Sequence, residues 1–237
     1  MRTIDFNPTP KQLAGIKATL FLLCLLPLAI LIRNGAYQEL GANPIEAVIR
    51  NLGDWALYFL LIGLAVTPLR RLTGLHWILR LRRMLGLYAF FYAALHVAAY
   101  IGIDQFFDWA AIVDDILQRP FITVGFAAFL LLVPLAATST NAMIRRLGGA
   151  NWQRLHRLVY PAAILAVLHY FWMVKLDVRE PLFFAALLAM LLGVRLWWRW
   201  QSGGFRPRRN PCQGQAFPEL KPRLSENSTD HPPGRKP

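Results

Sequence analysis

The sequence predicts an all-α protein, a polytopic membrane helix bundle of six transmembrane helices with N and C termini cytoplasmic. Three observations carry that prediction. Of 237 residues, 56% are hydrophobic and only 16% charged, with a mean hydropathy of +0.37; a soluble domain is nearer half apolar and a quarter charged. The apolar residues gather into runs of roughly 17–22, long enough to cross a bilayer. Basic residues then crowd alternate loops. This composition excludes a soluble enzyme, a disordered chain and a disulfide-rich secreted domain. In a soluble protein the net charge of +13 would point to nucleic acid; here it fits cytoplasmic loops facing anionic lipid.

A cytoplasmic segment, residues 1–16, leads into the first span, 17–33. Its long apolar run, its exit through Arg33-Asn34-Gly35 and the want of a small-residue cleavage site make it an uncleaved helix rather than a signal peptide. Further spans follow at 53–69, 84–103, 119–138, 156–174 and 181–200, so that residues 17–200 form one transmembrane domain. Pro27, Pro68, Pro134 and Pro161 fall within or at the ends of spans, where neighbouring groups can satisfy the freed carbonyls. Residues 104–118 alternate acids with Phe106, Phe107, Trp109, Ile112, Val113, Ile116 and Leu117. They read as an interfacial helix on the outer face, serving either as a solvated cap or as a docking surface. Residues 201–237 form a basic, Pro-rich tail with no periodicity, read as disordered. No Gly-rich dinucleotide fingerprint and no convincing internal repeat are present.

Loop charge sets the orientation. Arg2, Lys11 and Lys17 precede span one; Arg70, Arg71, Arg80, Arg82 and Arg83 lie between spans two and three; Arg145, Arg146, Arg154 and Arg157 lie at the next such connection; Arg195, Arg199, Arg206, Arg208 and Arg209 come at the end. The other side carries Asp104, Asp108, Asp114 and Asp115 against Arg119. The positive-inside rule puts both termini in the cytoplasm.

Cys24 and Cys212 are isolated and make no zinc site, iron–sulfur site or disulfide. His231 is in the tail and His76 in a basic loop. His96, His156 and His169 lie in or at spans, where a histidine is costly unless paired and is a functional candidate by default; the alternative for each is a bond to a neighbouring helix carbonyl. His96 lies seven residues before the outer end of span three and His169 five before that of span five, so roughly 10 and 8 Å deep at 1.5 Å per residue. Two imidazoles at matching depth on different helices can clamp one metal. A closed zinc site wants four ligands, and no Cys or acid completes the set at that depth. Haem iron needs only two axial ligands, and the macrocycle suits a helix bundle. His96 and His169 are therefore the predicted axial ligands of the haem iron. Tyr88, Phe90, Phe91, Tyr92, Tyr100, Tyr170, Phe171 and Trp172 fit a flat ligand or an interfacial belt; Ala93, Ala94, Ala98, Ala99, Ala162, Ala163 and Ala166 fit a ring or close helix packing. His156 lies thirteen residues before His169, near the cytoplasmic edge and 220° around an ideal helix, unless Pro161 bends it. It cannot share a metal with His169, and its counterparts on span three are Arg82 and Arg83. A second bis-histidine site is thus not expected. His156 either serves a second cofactor or is an alternative ligand.

The run Arg80-Leu81-Arg82-Arg83-Met84-Leu85-Gly86-Leu87 leading to His96 resembles the ferric-reductase-like transmembrane family. So do Thr138-Ser139-Thr140, Asn151-Trp152-Gln153-Arg154-Leu155-His156-Arg157-Leu158-Val159-Tyr160 and Leu168-His169-Tyr170. Within that family the resemblance is to the haem-binding membrane subunits of the protein-methionine-sulfoxide reductase systems of Gram-negative bacteria. It covers roughly residues 10–200. Larger members carry two histidines on each of two helices and a fused flavin–nicotinamide domain; this chain departs on both counts. The resemblance implies haem b at positions matching His96, His156 and His169, and FMN at residues it does not assign. It also implies a multi-pass protein of the bacterial cell inner membrane. Electrons would come from the quinone pool or a cytosolic flavin reductase and pass to a periplasmic molybdopterin-dependent catalytic subunit that repairs oxidised envelope proteins. The chain would then be an electron-transfer subunit rather than the catalytic one. Its rivals are a stand-alone ferric or cupric reductase, a histidine-containing transporter and a structural scaffold.

Overall fold

The computed structural model describes residues 8–174 and 178–201, and the predicted disordered tail lies outside them. The long helices are α1 (Pro10–Ala36), α2 (Pro44–Thr73), α3 (Arg82–Ala99), α5 (Pro120–Ala137), α8 (Val159–Met173) and α9 (Arg179–Gln201). Each covers most or all of one predicted span. The short helices are α4 (Trp109–Gln118), α6 (Asn141–Leu147) and α7 (Gly149–Leu155). Among the described residues, five stretches are long and apolar enough to cross a membrane. Helix α8 is shorter, and a 3₁₀ turn, His156–Leu158, continues it toward α7. The molecule is a polytopic membrane helix bundle.

Local chemistry sets the helix starts. Pro10, Pro44 and Pro120 stand at first helical positions, where the missing N–H has no intrahelical partner to lose. Thr9 and Gln12 form a capping box on α1, and Asn43 caps α2 through the Glu46 N–H. Pro161 is the third residue of α8. It offers no N–H to the Arg157 carbonyl in the 3₁₀ turn before it. The break in the fifth span comes at the 3₁₀ turn His156–Leu158, which contains Arg157, the residue four before Pro161.

The tightest packing pairs α2 with α3 and α5 with α8, and the two pairs meet along α3 and α5. Helix α1 lies outside α2, and α9 against α8 and α2. Leu57, Leu60, Leu61, Leu64, Leu85, Ala89, Tyr92, Ala162 and Ala163 are buried between them. The outward faces carry Phe21, Leu22, Leu23, Leu26 and Ile30 on α1, and Met190, Leu196, Trp197 and Trp200 on α9. That much exposed apolar surface fits lipid rather than water.

Helix α3 is the polar spine of the bundle. Tyr88, Tyr92, His96 and, just past its end, Tyr100 recur every four residues; the first two bond to α1, His96 to α2 and Tyr100 to α4. The Tyr88 hydroxyl donates to the Phe21 carbonyl at 2.9 Å. The Tyr92 hydroxyl donates to the Cys24 carbonyl at 2.8 Å and accepts the Leu28 N–H at 3.2 Å. Cys24 O and Leu28 N would pair with each other in a regular helix, so Tyr92 is inserted into the α1 ladder next to Pro27. Beyond Ala99 the chain makes one π turn, Tyr100–Asp104, and Tyr100 donates to Asp115 of α4 at 2.9 Å.

Candidate haem site and its relatives

Two cavities lie one behind the other in the bundle. The more apolar one, about 430 Å³, lies toward the α4 end and holds both His96 and His169 on its wall. Their ring centres are 6.2 Å apart, with planes at 76°. The structure thus brings together the two histidines that depth matching paired.

Each imidazole is fixed through Nδ1. His96 Nδ1 lies 2.8 Å from the Ile49 carbonyl of α2, and His169 Nδ1 lies 2.7 Å from the Phe121 carbonyl of α5. A carbonyl can only accept, so Nδ1 carries the proton on both rings. The lone pairs are left on Nε2, the arrangement in which a second bond orients a metal-ligating histidine. A bond of about 2 Å from metal to imidazole nitrogen puts two ring centres on opposite sides of one ion about 6 Å apart, which matches the observed spacing. Room at the rings comes from glycine. A Cβ on Gly53 would stand 3.1 Å from the His96 ring, and one on Gly125 2.6 Å from His169 Nδ1. Aromatic and aliphatic walls complete the slot, with Phe121, Phe126 and Phe129 from α5, Leu57 and Leu60 from α2, Ala93 from α3 and Ala166 from α8. A donor set of two neutral imidazoles in an apolar slot fits haem. It does not fit a protein-only metal centre: half-buried Asp54 reaches the same cavity, but no group of three His, Cys, Asp or Glu is poised for a metal among the described residues.

Helix α4 covers one end of this cavity. Ile112 and Ile116 line the cavity, while Trp109, Val113 and Leu117 face outward. The helix is held by the Tyr100–Asp115 bond, the Arg119–Asp115 ion pair at 3.1 Å and a bond from the Thr123 hydroxyl to the Ile116 carbonyl. Tyr170, beside His169, donates to Glu180 of α9 at 2.8 Å. Of the aromatics singled out in the sequence, Tyr100 and Tyr170 line this cavity. Tyr88 and Tyr92 instead serve α1.

His156 lies apart from the pair, in a second cavity of about 550 Å³ at the arginine-rich end. Its Nδ1 donates to the Trp152 carbonyl at 3.1 Å, and the Trp152 ring stacks on it at 3.8 Å. Its Nε2 is buried without a hydrogen-bond partner. Arg82, Arg83, Arg157, Ser139, Gln153 and Tyr160 share the lining. Leu60 and Leu132 line both cavities, and Phe90 of this second one stacks on Phe129 of the first at 5.8 Å.

The family described as ferric reductase like transmembrane component matches residues 52–167, a stretch that contains His96 and His156 but stops two residues short of His169. Full-length relatives extend the likeness. A protein-methionine-sulfoxide reductase heme-binding subunit MsrQ from Herminiimonas arsenicoxydans is 53% identical over 213 residues, covering 89% of this chain and 96% of the relative. The chain belongs to the MsrQ family. Members from Azospira oryzae and Rhodospirillum rubrum are 55% and 60% identical, covering 87% and 76% of this chain and 89% and 86% of their own lengths. With its apolar helices, membership in the MsrQ family makes this a multi-pass protein of the bacterial inner membrane.

Sequence reading missed Gly53, Gly125 and the two carbonyl acceptors.

Proposed function

We propose that this chain is the haem b electron-transfer subunit of a methionine-sulfoxide reductase system, with His96 and His169 as the axial ligands of one haem. The observation that carries the reading is the pair of imidazoles 6.2 Å apart, each with Nδ1 tied to a carbonyl. A bound haem supplies a one-electron ferric–ferrous couple. The chain's own residues do the rest. With haem bound, His96 and His169 would be its two protein ligands, which would favour electron transfer over oxygen binding. The Ile49 and Phe121 carbonyls hold the rings, the phenylalanines and leucines keep water out, and α4 covers the outer side.

The six spans cross with both termini cytoplasmic, so the His96–His169 cavity lies near the periplasm and the His156 cavity near the cytoplasm. Electrons enter from the quinone pool or a cytosolic flavin reductase. They leave to a periplasmic molybdopterin-dependent catalytic subunit acting on oxidised envelope proteins. His156 serves an inner cofactor. Its unpartnered Nε2 suits a second haem iron, and Arg82, Arg83 and Arg157 suit that haem's propionates or, alternatively, the phosphate of FMN.

The test is haem content and the reduced-minus-oxidised spectrum of purified variants. His96→Ala and His169→Ala should each abolish the sharp low-spin α-band of the outer haem. His156→Ala should leave that band and lower the cofactor count per chain. Full haem content in His96→Ala would overturn the ligand assignment.

A further inference from the structure

The two histidine anchors are built alike on different helices. His96 bonds the carbonyl of residue 49, and the residue four further on is Gly53; His169 bonds the carbonyl of residue 121, and the residue four further on is Gly125. This spacing has a geometric cause. In an α-helix the carbonyl of residue i points at the N–H of residue i+4, and side chains at i and i+4 share a face. A donor reaching that carbonyl from outside must lie across residue i+4, and only glycine leaves its Cα bare. The close approaches are unequal. A Cβ at position 125 would come within 2.6 Å of His169 Nδ1, 2.8 Å of Cε1 and 3.0 Å of Cγ, whereas one at position 53 would stay 3.1 Å from His96 Nδ1 and Cε1. The second gap closes with a shift of a few tenths of an ångström; the first cannot close without turning or displacing the ring. At Gly15 and Gly193, by contrast, an added Cβ would meet nothing within 4 Å.

We propose that Gly53 and Gly125 are positioning residues that set the planes of the two imidazoles, and that Gly125 is the stricter of the two. This rests on the ligand reading above, because a plane angle matters only if both rings bind one iron. With both glycines in place the rings stand at 76° to each other, and moving either ring changes that angle. The g tensor of a low-spin ferric haem reports the angle between its axial imidazole planes, so it reads the proposal directly.

The experiment compares Gly53→Ala, Gly125→Ala and the control Gly193→Ala in the haem-loaded full chain. Readouts are low-temperature electron paramagnetic resonance, midpoint potential and α-band. Gly125→Ala should lose at least half of the low-spin signal of this haem. Gly53→Ala should keep the haem with shifted g values and a shifted potential. Gly193→Ala should match the parent. A thermal cycle covers the case in which Gly125→Ala folds poorly: it should lower Tm in the parent and leave Tm unchanged in a His169→Ala background, where the ring is gone. Parent-like g values in Gly125→Ala, or an equal Tm loss in both backgrounds, would overturn the proposal. Haem retained by His169→Ala would instead overturn the ligand reading, and the thermal cycle would still decide the steric coupling.

Discussion

At the scale of single residues, the bundle is held by few polar contacts, each with two partners in view. Between helices in lipid there is little hydrophobic driving force, and interhelical hydrogen bonds are worth about 0.6 kcal/mol on average and up to about 1.7. Tyr92 makes two such bonds at once, to Cys24 and Leu28, and is fully buried. Tyr92→Phe should therefore cost about 1–2 kcal/mol in detergent unfolding, and Tyr88→Phe, which removes one bond, about half as much; equal losses would contradict the inserted geometry. His96 and His169 are legible in the sequence because a histidine in a span has few bland explanations and depth is countable. Tyr92 is legible only as an aromatic, since nothing in a sequence tells which helix a hydroxyl will enter. The glycines are silent for a related reason: small residues in spans serve close packing so often that one serving a ring carries no separate mark.

At the scale of elements, each predicted span falls largely on one long helix, because apolar runs act locally, but α1 and α2 begin at Pro10 and Pro44, well before the predicted starts at 17 and 53, where proline and capping residues set the first turn. The interior of the fifth span is not readable in this way. A rotation counted along one ideal helix fails there, because the chain changes helix type at His156–Leu158, and a 3₁₀ turn has fewer residues per turn. His156, at the start of that turn, lines its own cavity. Helix α4 reads from its sequence as amphipathic, and the structure makes its cap role specific. Ile112 is its buried anchor, and Ile116 reaches the cavity behind it. In an Ile116→Cys variant, a water-soluble maleimide should react slowly. Adding Ile112→Asp should detach the helix and raise that rate by about tenfold or more, since about 1.4 kcal/mol corresponds to a factor of ten in the open fraction. An unchanged rate would mean that α4 does not cover the site.

At the scale of the whole molecule, the sequence discloses no repeat, yet the site has one. Helices α2 and α5 each offer a carbonyl and a glycine, and α3 and α8 each offer a histidine. The likeness lies in a few atoms at corresponding depths rather than in shared residue runs, so the two halves have nothing in sequence to match. Orientation is a property of the entire chain and follows from loop arginines acting together. Its test uses the native cysteines: Cys24 is buried, which leaves Cys212 as the reporter. An impermeant thiol reagent should label inside-out vesicles and spare right-side-out ones. The reverse pattern would place the His156 cavity outside the cell and invert the direction of electron flow.

The tethering of both candidate ligand rings to main-chain oxygens has a consequence for how the gene can change. A carbonyl is present whichever codon stands at positions 49 and 121, so drift there among apolar residues leaves the anchors intact. Genetic vulnerability is displaced one helical turn, to two glycine codons, every missense change of which adds at least one carbon where the ring lies.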